Sequence, residues 1–108
     1  MSAYYTVQRV AGGPRKFSEF VDKHGVGLVV KERPRGTMAD EDCRYHADFL
    51  ELVEIKEGGM LKGCFGNGRT PEKAIEELKR NVAGRLLVKN ANSAGRIEFR
   101  APNDWLSE

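Results

Sequence analysis

Alternating and helical hydrophobic periods succeed one another along the chain, and each change of period marks a predicted element. Residues 3–10, AYYTVQRV, alternate as a first strand. In GPRKFSEFVDKHG the spacing of Phe17, Phe20 and Val21 puts all three on one helical face, and Gly25 ends the helix. VGLVVKE follows as a second strand, and residues 33–42, RPRGTMADED, have the Pro, Gly and acidic residues of a surface loop. From residue 45 to 55 the run YHADFLELVEI predicts one long strand; Gly58 and Gly59 turn it, and MLKGCF returns as its antiparallel partner.

A second helix is expected from Thr70. Ala74, Ile75, Leu78 and Val82 form its apolar stripe, Glu76, Glu77, Lys79 and Arg80 face mainly outward, and Gly84 ends it. RLLVKN and RIEFRA complete the chain as two strands around ANSAG, with Pro102 closing the last. The predicted order is β-α-β-β-β-α-β-β, an α+β fold with two helices packed on a mainly antiparallel sheet. PRKFSEFVDKHGVG also echoes PEKAIEELKRNVAG, aligning Pro14 with Pro71 and Gly27 with Gly84. A duplicated strand-helix-strand unit and two ordinary capped helices both account for that echo.

At 108 residues, 40% hydrophobic and 31% charged, the chain suits one domain, residues 1–108, around one core. No apolar run approaches a membrane span and no charged leader precedes an apolar stretch, which predicts a cytoplasmic protein. Cys43 and Cys64, in no close-spaced framework, fit a reducing compartment. Because 18 Lys and Arg face 16 Asp and Glu, the net charge is only +2, so a cationic site must come from local arrangement. No nucleic-acid-binding signature is present, and specific nucleic-acid binding is not expected.

The candidates for catalysis or metal binding are sparse. Cys43-x-x-His46, Cys64 and His24 are scattered, and Asp40, Glu41 and Asp42 are three consecutive carboxylates on a loop. No nucleophile elbow, zinc-protease or comparable catalytic pattern occurs. The expectation is a protein that is not an enzyme and uses no cofactor or metal.

Two places suggest anion binding. The first is GCFGNGRTPEKAIEELKRN, residues 63–81, where Gly63, Gly66 and Gly68 precede Arg69 and a helix start. The spacing is neither a Walker loop nor a dinucleotide fingerprint. It reads as a capped helix start, with Thr70 as N-cap and Pro71 at the first position, or as an anion site of free amides and Arg69. The second is the final hairpin. Pairing Val88 with Ile97 and Leu86 with Phe99 gives one apolar face. The other face then sets Lys89 opposite Arg96, Leu87 opposite Glu98 and Arg85 opposite Arg100. Like charges across a sheet repel by about 0.2–1 kcal/mol per pair, so two cationic pairs either splay into water or meet an anionic ligand or partner. Asn90 at the hairpin mouth serves as a turn residue or as a base or ribose hydrogen-bonding group.

Residues 66–102, GNGRTPEKAIEELKRNVAGRLLVKNANSAGRIEFRAP, resemble the phage-encoded Thoeris anti-defence sponges over about a third of the chain. That resemblance implies sequestration of a cyclic ADP-ribose isomer without catalysis, assembly as a homo-oligomer, and ligand contacts from Asn90, Arg96 and Arg100. A phage origin would place it in the host cytoplasm. GCFGNGRTPEKA is also similar to antitoxins of the HicB type, which implies a protein-interaction module with a basic face for an acidic partner. The basic hairpin after the helix is not required by the antitoxin pattern, and no DNA-binding tail is expected after Trp105. A chain this short also gains burial by self-association.

Overall fold

The computed structural model describes residues 6–9, 15–33, 41–103 and 105. Most of the expected loop at 33–42, including Asp40, and the flanks of the first predicted strand lie outside these residues. The elements are β1 (Thr6–Arg9), α1 (Arg15–His24), β2 (Leu28–Glu32), a 3-10 turn (Glu41–Cys43), β3 (Tyr45–Phe49), β4 (Val53–Glu57), β5 (Met60–Gly63), β6 (Phe65–Gly68), α2 (Pro71–Val82), β7 (Leu86–Lys89) and β8 (Ile97–Arg100). The fold is α+β in the expected order, with each arm of the central hairpin divided into two strand segments. Among the described residues no helix is long and apolar enough to cross a membrane.

Both helices end as their residues dictate. Gly25, at φ 60°, lets Val26 N–H reach the Val21 carbonyl and Gly25 N–H reach that of Asp22, closing α1 with a left-handed residue. At α2 the Thr70 hydroxyl accepts the Lys73 N–H at 3.1 Å, Pro71 occupies the first turn, and Gly84 at φ 71° follows the last.

The central hairpin serves two four-stranded antiparallel sheets, β1-β2-β3-β6 and β5-β4-β7-β8. Its arms pair Asp48 with Phe65 in the first sheet and Glu54 with Gly63 in the second. Five residues, 49–53, separate these positions on the outgoing arm but only Cys64 on the returning one, so four extra residues bulge from the outgoing arm. The bulge is hydrogen-bonded: Leu50 and Glu51 N–H meet the Gly27 and Val26 carbonyls, and the Leu52 carbonyl accepts Asn90 N–H. The expected long strand over residues 45–55 is therefore two strands that hand the chain from one sheet to the other.

One cluster of buried side chains joins both sheets and both helices. Phe17 is fully buried, 6.3 Å from Phe49 and 5.2 Å edge-on from Trp105, while Phe20 lies 5.9 Å from Phe99. Trp105 donates its indole N–H to the Lys79 carbonyl at 3.0 Å. The segment leading to it returns across α2, and this buries Lys79, which was expected to face outward.

The final hairpin pairs one residue out of the expected register: Leu86 faces Arg100, Leu87 faces Phe99, Val88 faces Glu98 and Lys89 faces Ile97. The reason is that β7 is an interior strand between β4 and β8, so Leu87 and Val88 are both fully buried. The expectation of one apolar and one polar face does not apply to such a strand. Leu87, Phe99 and Ile55 share the core side, and Val88 lies on the other side between Glu54 and Glu98.

Candidate ligand-binding site

The glycine-rich approach to α2 is built for packing. A Cβ on Gly66 would stand 2.5 Å from the Ala74 carbonyl oxygen and closer still to Leu78 N; one on Gly68 would stand 2.5 Å from Ala74 N. Both glycines let the helix backbone lie directly on β6. The polar groups beside them also have partners. Arg69 Nε is ion-paired with Asp42, Glu77 Oε1 accepts the Asn67 N–H at 3.0 Å, and Thr70 caps the helix. The adjoining cleft of about 330 Å³ mixes Arg69, Lys73 and Arg80 with Asp42, Glu76 and Glu77, so its charges balance.

The cations of the final hairpin do not converge, and the two cationic pairs expected across the strands do not form. Arg85 is ion-paired with Glu57, whose carboxyl is held below its usual range first by the Lys62 hydrogen bond and then by Arg85. Arg96 and Lys56 share Glu98 at 2.8 and 3.3 Å, which holds that carboxyl low as well. Lys89 turns to the end of α1, its Nζ 3.3 Å from the His24 carbonyl and 3.4 Å from that of Gly25, where a cation complements the helix dipole. Asn90, at φ 57°, is the left-handed residue of the turn, its carbonyl accepting Ser93 N–H and Oγ–H at 3.2 Å. Arg100 donates from Nη1 to the Gly84 carbonyl at 2.8 Å.

Arg100 belongs to a different arrangement that the strand pattern did not show. Between α1 and the end of β8 lies an open groove of about 350 Å³ with an apolar floor of Phe20 and Pro102. Lys16, Lys23, His24 and Arg100 surround it, with Glu19 as its acidic member. Lys16, Phe20 and Lys23 recur at helical spacing on α1, so one face of the helix supplies most of the groove. His24 stacks on Phe99 at 4.2 Å and 12° and lies 4.9 Å from Phe20. Its pKa is lowered from 6.5 first by burial and then by the Lys23 and Lys89 cations, which leaves a neutral imidazole at pH 7. A volume of this size falls in the range of small-molecule sites, and cations over an apolar floor suit a ligand with both a ring and phosphates.

The remaining reactive side chains are placed elsewhere. Cys64 is buried between the two sheets, and burial pushes its thiol up to about 12. His46 stacks on Phe65 at 5.3 Å, with Nδ1 3.2 Å from Asn67 Oδ1 and Nε2 3.5 Å from Asp48. Among the described residues no three His, Cys, Asp or Glu side chains are grouped to hold a metal ion. No protein family, curated protein or solved structure matches the chain.

Proposed function

We propose that the protein binds a phosphorylated, nucleotide-sized ligand in the groove between α1 and β8 and retains it without breaking a bond. The observation supporting this reading is the meeting of Lys16, Lys23, His24 and Arg100 around Phe20 and Pro102. Phosphate oxygens would take charge-assisted hydrogen bonds from the lysines and from the Arg100 donors that Gly84 leaves over. A ring would lie on the apolar floor. Cyclic ADP-ribose isomers are the first ligands to test, because the resemblance of residues 66–102 to Thoeris anti-defence sponges implies them. On this reading the protein is an anti-defence factor that lowers a free signal by tight binding. Arg69, Arg85, Lys89, Asn90 and Arg96 do not line this groove.

A second reading, a HicB-like or other protein-interaction module, has its own support. Met60 and Phe65 on the returning arm are 66% and 45% exposed, which suits contact with another protein. Titration calorimetry separates the two. Cyclic ADP-ribose isomers, cyclic oligonucleotides and ATP are each titrated into the protein, and the ligand is recovered by denaturation for mass spectrometry. The nucleotide reading expects saturable heat with one of them, unchanged recovered ligand, and binding weakened by about 1.5–3 kcal/mol in Lys23→Ala or Arg100→Ala. Absence of saturable heat with every nucleotide sinks it. Recovery of a hydrolysed product in proportion to protein makes the protein an enzyme instead.

A further inference from the structure

We infer that β5 pairs antiparallel with β5 of a second copy of this chain, joining two four-stranded sheets into one of eight strands. This inference does not depend on the ligand reading. The returning arm of the hairpin, β5 followed by β6, lies at the edge of both sheets, and its two halves are treated differently. Along β6 the outward backbone groups are met by α2: Asn81 Nδ2 donates to the Phe65 carbonyl at 2.8 Å, and Glu77 accepts from Asn67 N–H at 3.0 Å. The opposite edge of the second sheet, β8, has the charged residues Glu98 and Arg100 at its outward positions, a common guard against pairing. β5 has neither protection over Leu61 and Gly63.

The direction of those groups follows from the turn. Gly58 and Gly59 form a two-residue loop, so Glu57 and Met60 exchange hydrogen bonds, as do Ile55 and Lys62. The N–H and C=O groups of Leu61 and Gly63 then point away from β4, and among the described residues no hydrogen bond reaches them. An unmet strand edge of this kind is a template for another strand.

The occupant is a second copy because this edge is complementary to itself. On the outer face Leu61 and Phe65 are exposed, Gly63 between them carries no side chain, and the Phe65 ring folds back to 3.6 Å from where a Gly63 Cβ would stand. A two-fold axis at Lys62 sets Leu61 of each copy opposite Gly63 of the other. Four backbone hydrogen bonds form, and each Leu61 packs across the side-chain-free Gly63 of the other copy against the exposed Phe65 ring beside that glycine. The register also brings the two Lys62 side chains together; each is held 2.9 Å from its own Glu57, a carboxylate shared with Arg85, so the remaining repulsion further weakens the pairing. A four-residue strand pair covers less than the ~1,200 Å² of stable interfaces, so the dimer is weak and concentration-dependent.

The test is sedimentation of the full chain from about 10 μM to about 1 mM, the range in which a small interface dissociates. Hydrogen exchange is followed at the same concentrations. Wild type should rise from 12.1 kDa toward twice that mass, with Leu61 and Gly63 amides slowing as concentration rises. Leu61→Pro removes an outward N–H that no ladder bond of the monomer uses, and Gly63→Lys places a cation opposite Glu54 in the monomer but between Leu61 of the second copy and Phe65 in the dimer. Each should weaken association at least about tenfold while circular dichroism stays native. A wild-type mass of 12.1 kDa throughout, or a dimer that both folded variants leave intact, or exchange at these amides independent of concentration, overturns the inference.

Discussion

Replacing Gly66 by Ala adds one methyl group where α2 lies on β6. The new Cβ would be 2.5 Å from the Ala74 carbonyl oxygen and 2.9 Å from the Glu77 carbonyl carbon. Comfortable contacts between such atoms are ~3.5 Å, so the helix must lift by about 1 Å. Ala74 and Leu78 on the packed face of that helix are fully buried and Ile75 nearly so. A gap of that size forfeits about a quarter to a half of each dispersion contact. Overpacking costs about 1–3 kcal/mol and sometimes more, and because the obstacle is helix backbone we expect the upper end, about 3 kcal/mol. With a urea m-value of ~1.5 kcal/mol/M the unfolding midpoint should fall by about 2 M. Gly59→Ala is the control, since its Cβ would meet nothing within 4 Å and the position has no positive φ. A loss below ~0.5 kcal/mol for Gly66→Ala, equal to the control, would show that the glycine is not there for helix approach and would reopen the anion reading at Arg69.

Trp105→Ala should cost at least about 3 kcal/mol in denaturant titration, because the ring is buried against Phe17 and Phe20; Trp105→Phe should cost only about 1, since Ala83 N–H still reaches the Lys79 carbonyl at 3.0 Å. Cys64 keeps its proton in the folded state up to about 12, so its contribution to stability is full below the unfolded value near 9.0 and is lost as pH rises through that window. Wild type should therefore lose up to about 1.4 kcal/mol per pH unit relative to Cys64→Ala above pH 9, and parallel curves for the two proteins would contradict the burial argument. Burial first and then the Lys23 and Lys89 cations lower the His24 pKa; a phosphate bound beside the ring should offset the cations, so binding should take up a proton and tighten as pH falls toward 6. Calorimetry near pH 6 in buffers of different ionisation enthalpy reads that uptake directly, and its absence in wild type would place the ligand away from His24.

Much of the fold was legible because its signals are local. Thr70-Pro71, Gly25 and Gly84 bounded the helices, and Gly58-Gly59 turned the central hairpin. The division of that hairpin was hidden for a definite reason. Four extra residues are an even number, so Ala47 and Phe49 before the bulge and Val53 and Ile55 after it fall on one parity and all stay buried. The break shows in the exposure of Leu50 and Leu52, at 48% and 57%, and in the exposed Glu51 that interrupts the buried series. The register of the last hairpin failed because both faces of β7 are buried, which removes the information in alternation. Its cations looked unpaired because the carboxylate of Glu57 arrives from a distant strand. The groove joins residues 16–24 to residues 100–102, and no local pattern relates such distant segments.

Amide chemical-shift mapping with a cyclic ADP-ribose isomer tests the central claim most directly, because it reports where a ligand sits as well as whether it binds. Saturable shifts should concentrate at Lys16, Phe20, Lys23, His24, Phe99 and Arg100, and should collapse in Lys23→Glu while the spectrum stays dispersed. Saturable shifts centred instead on Arg69 and the start of α2, or on Arg85 and Arg96, would contradict the groove as the binding site.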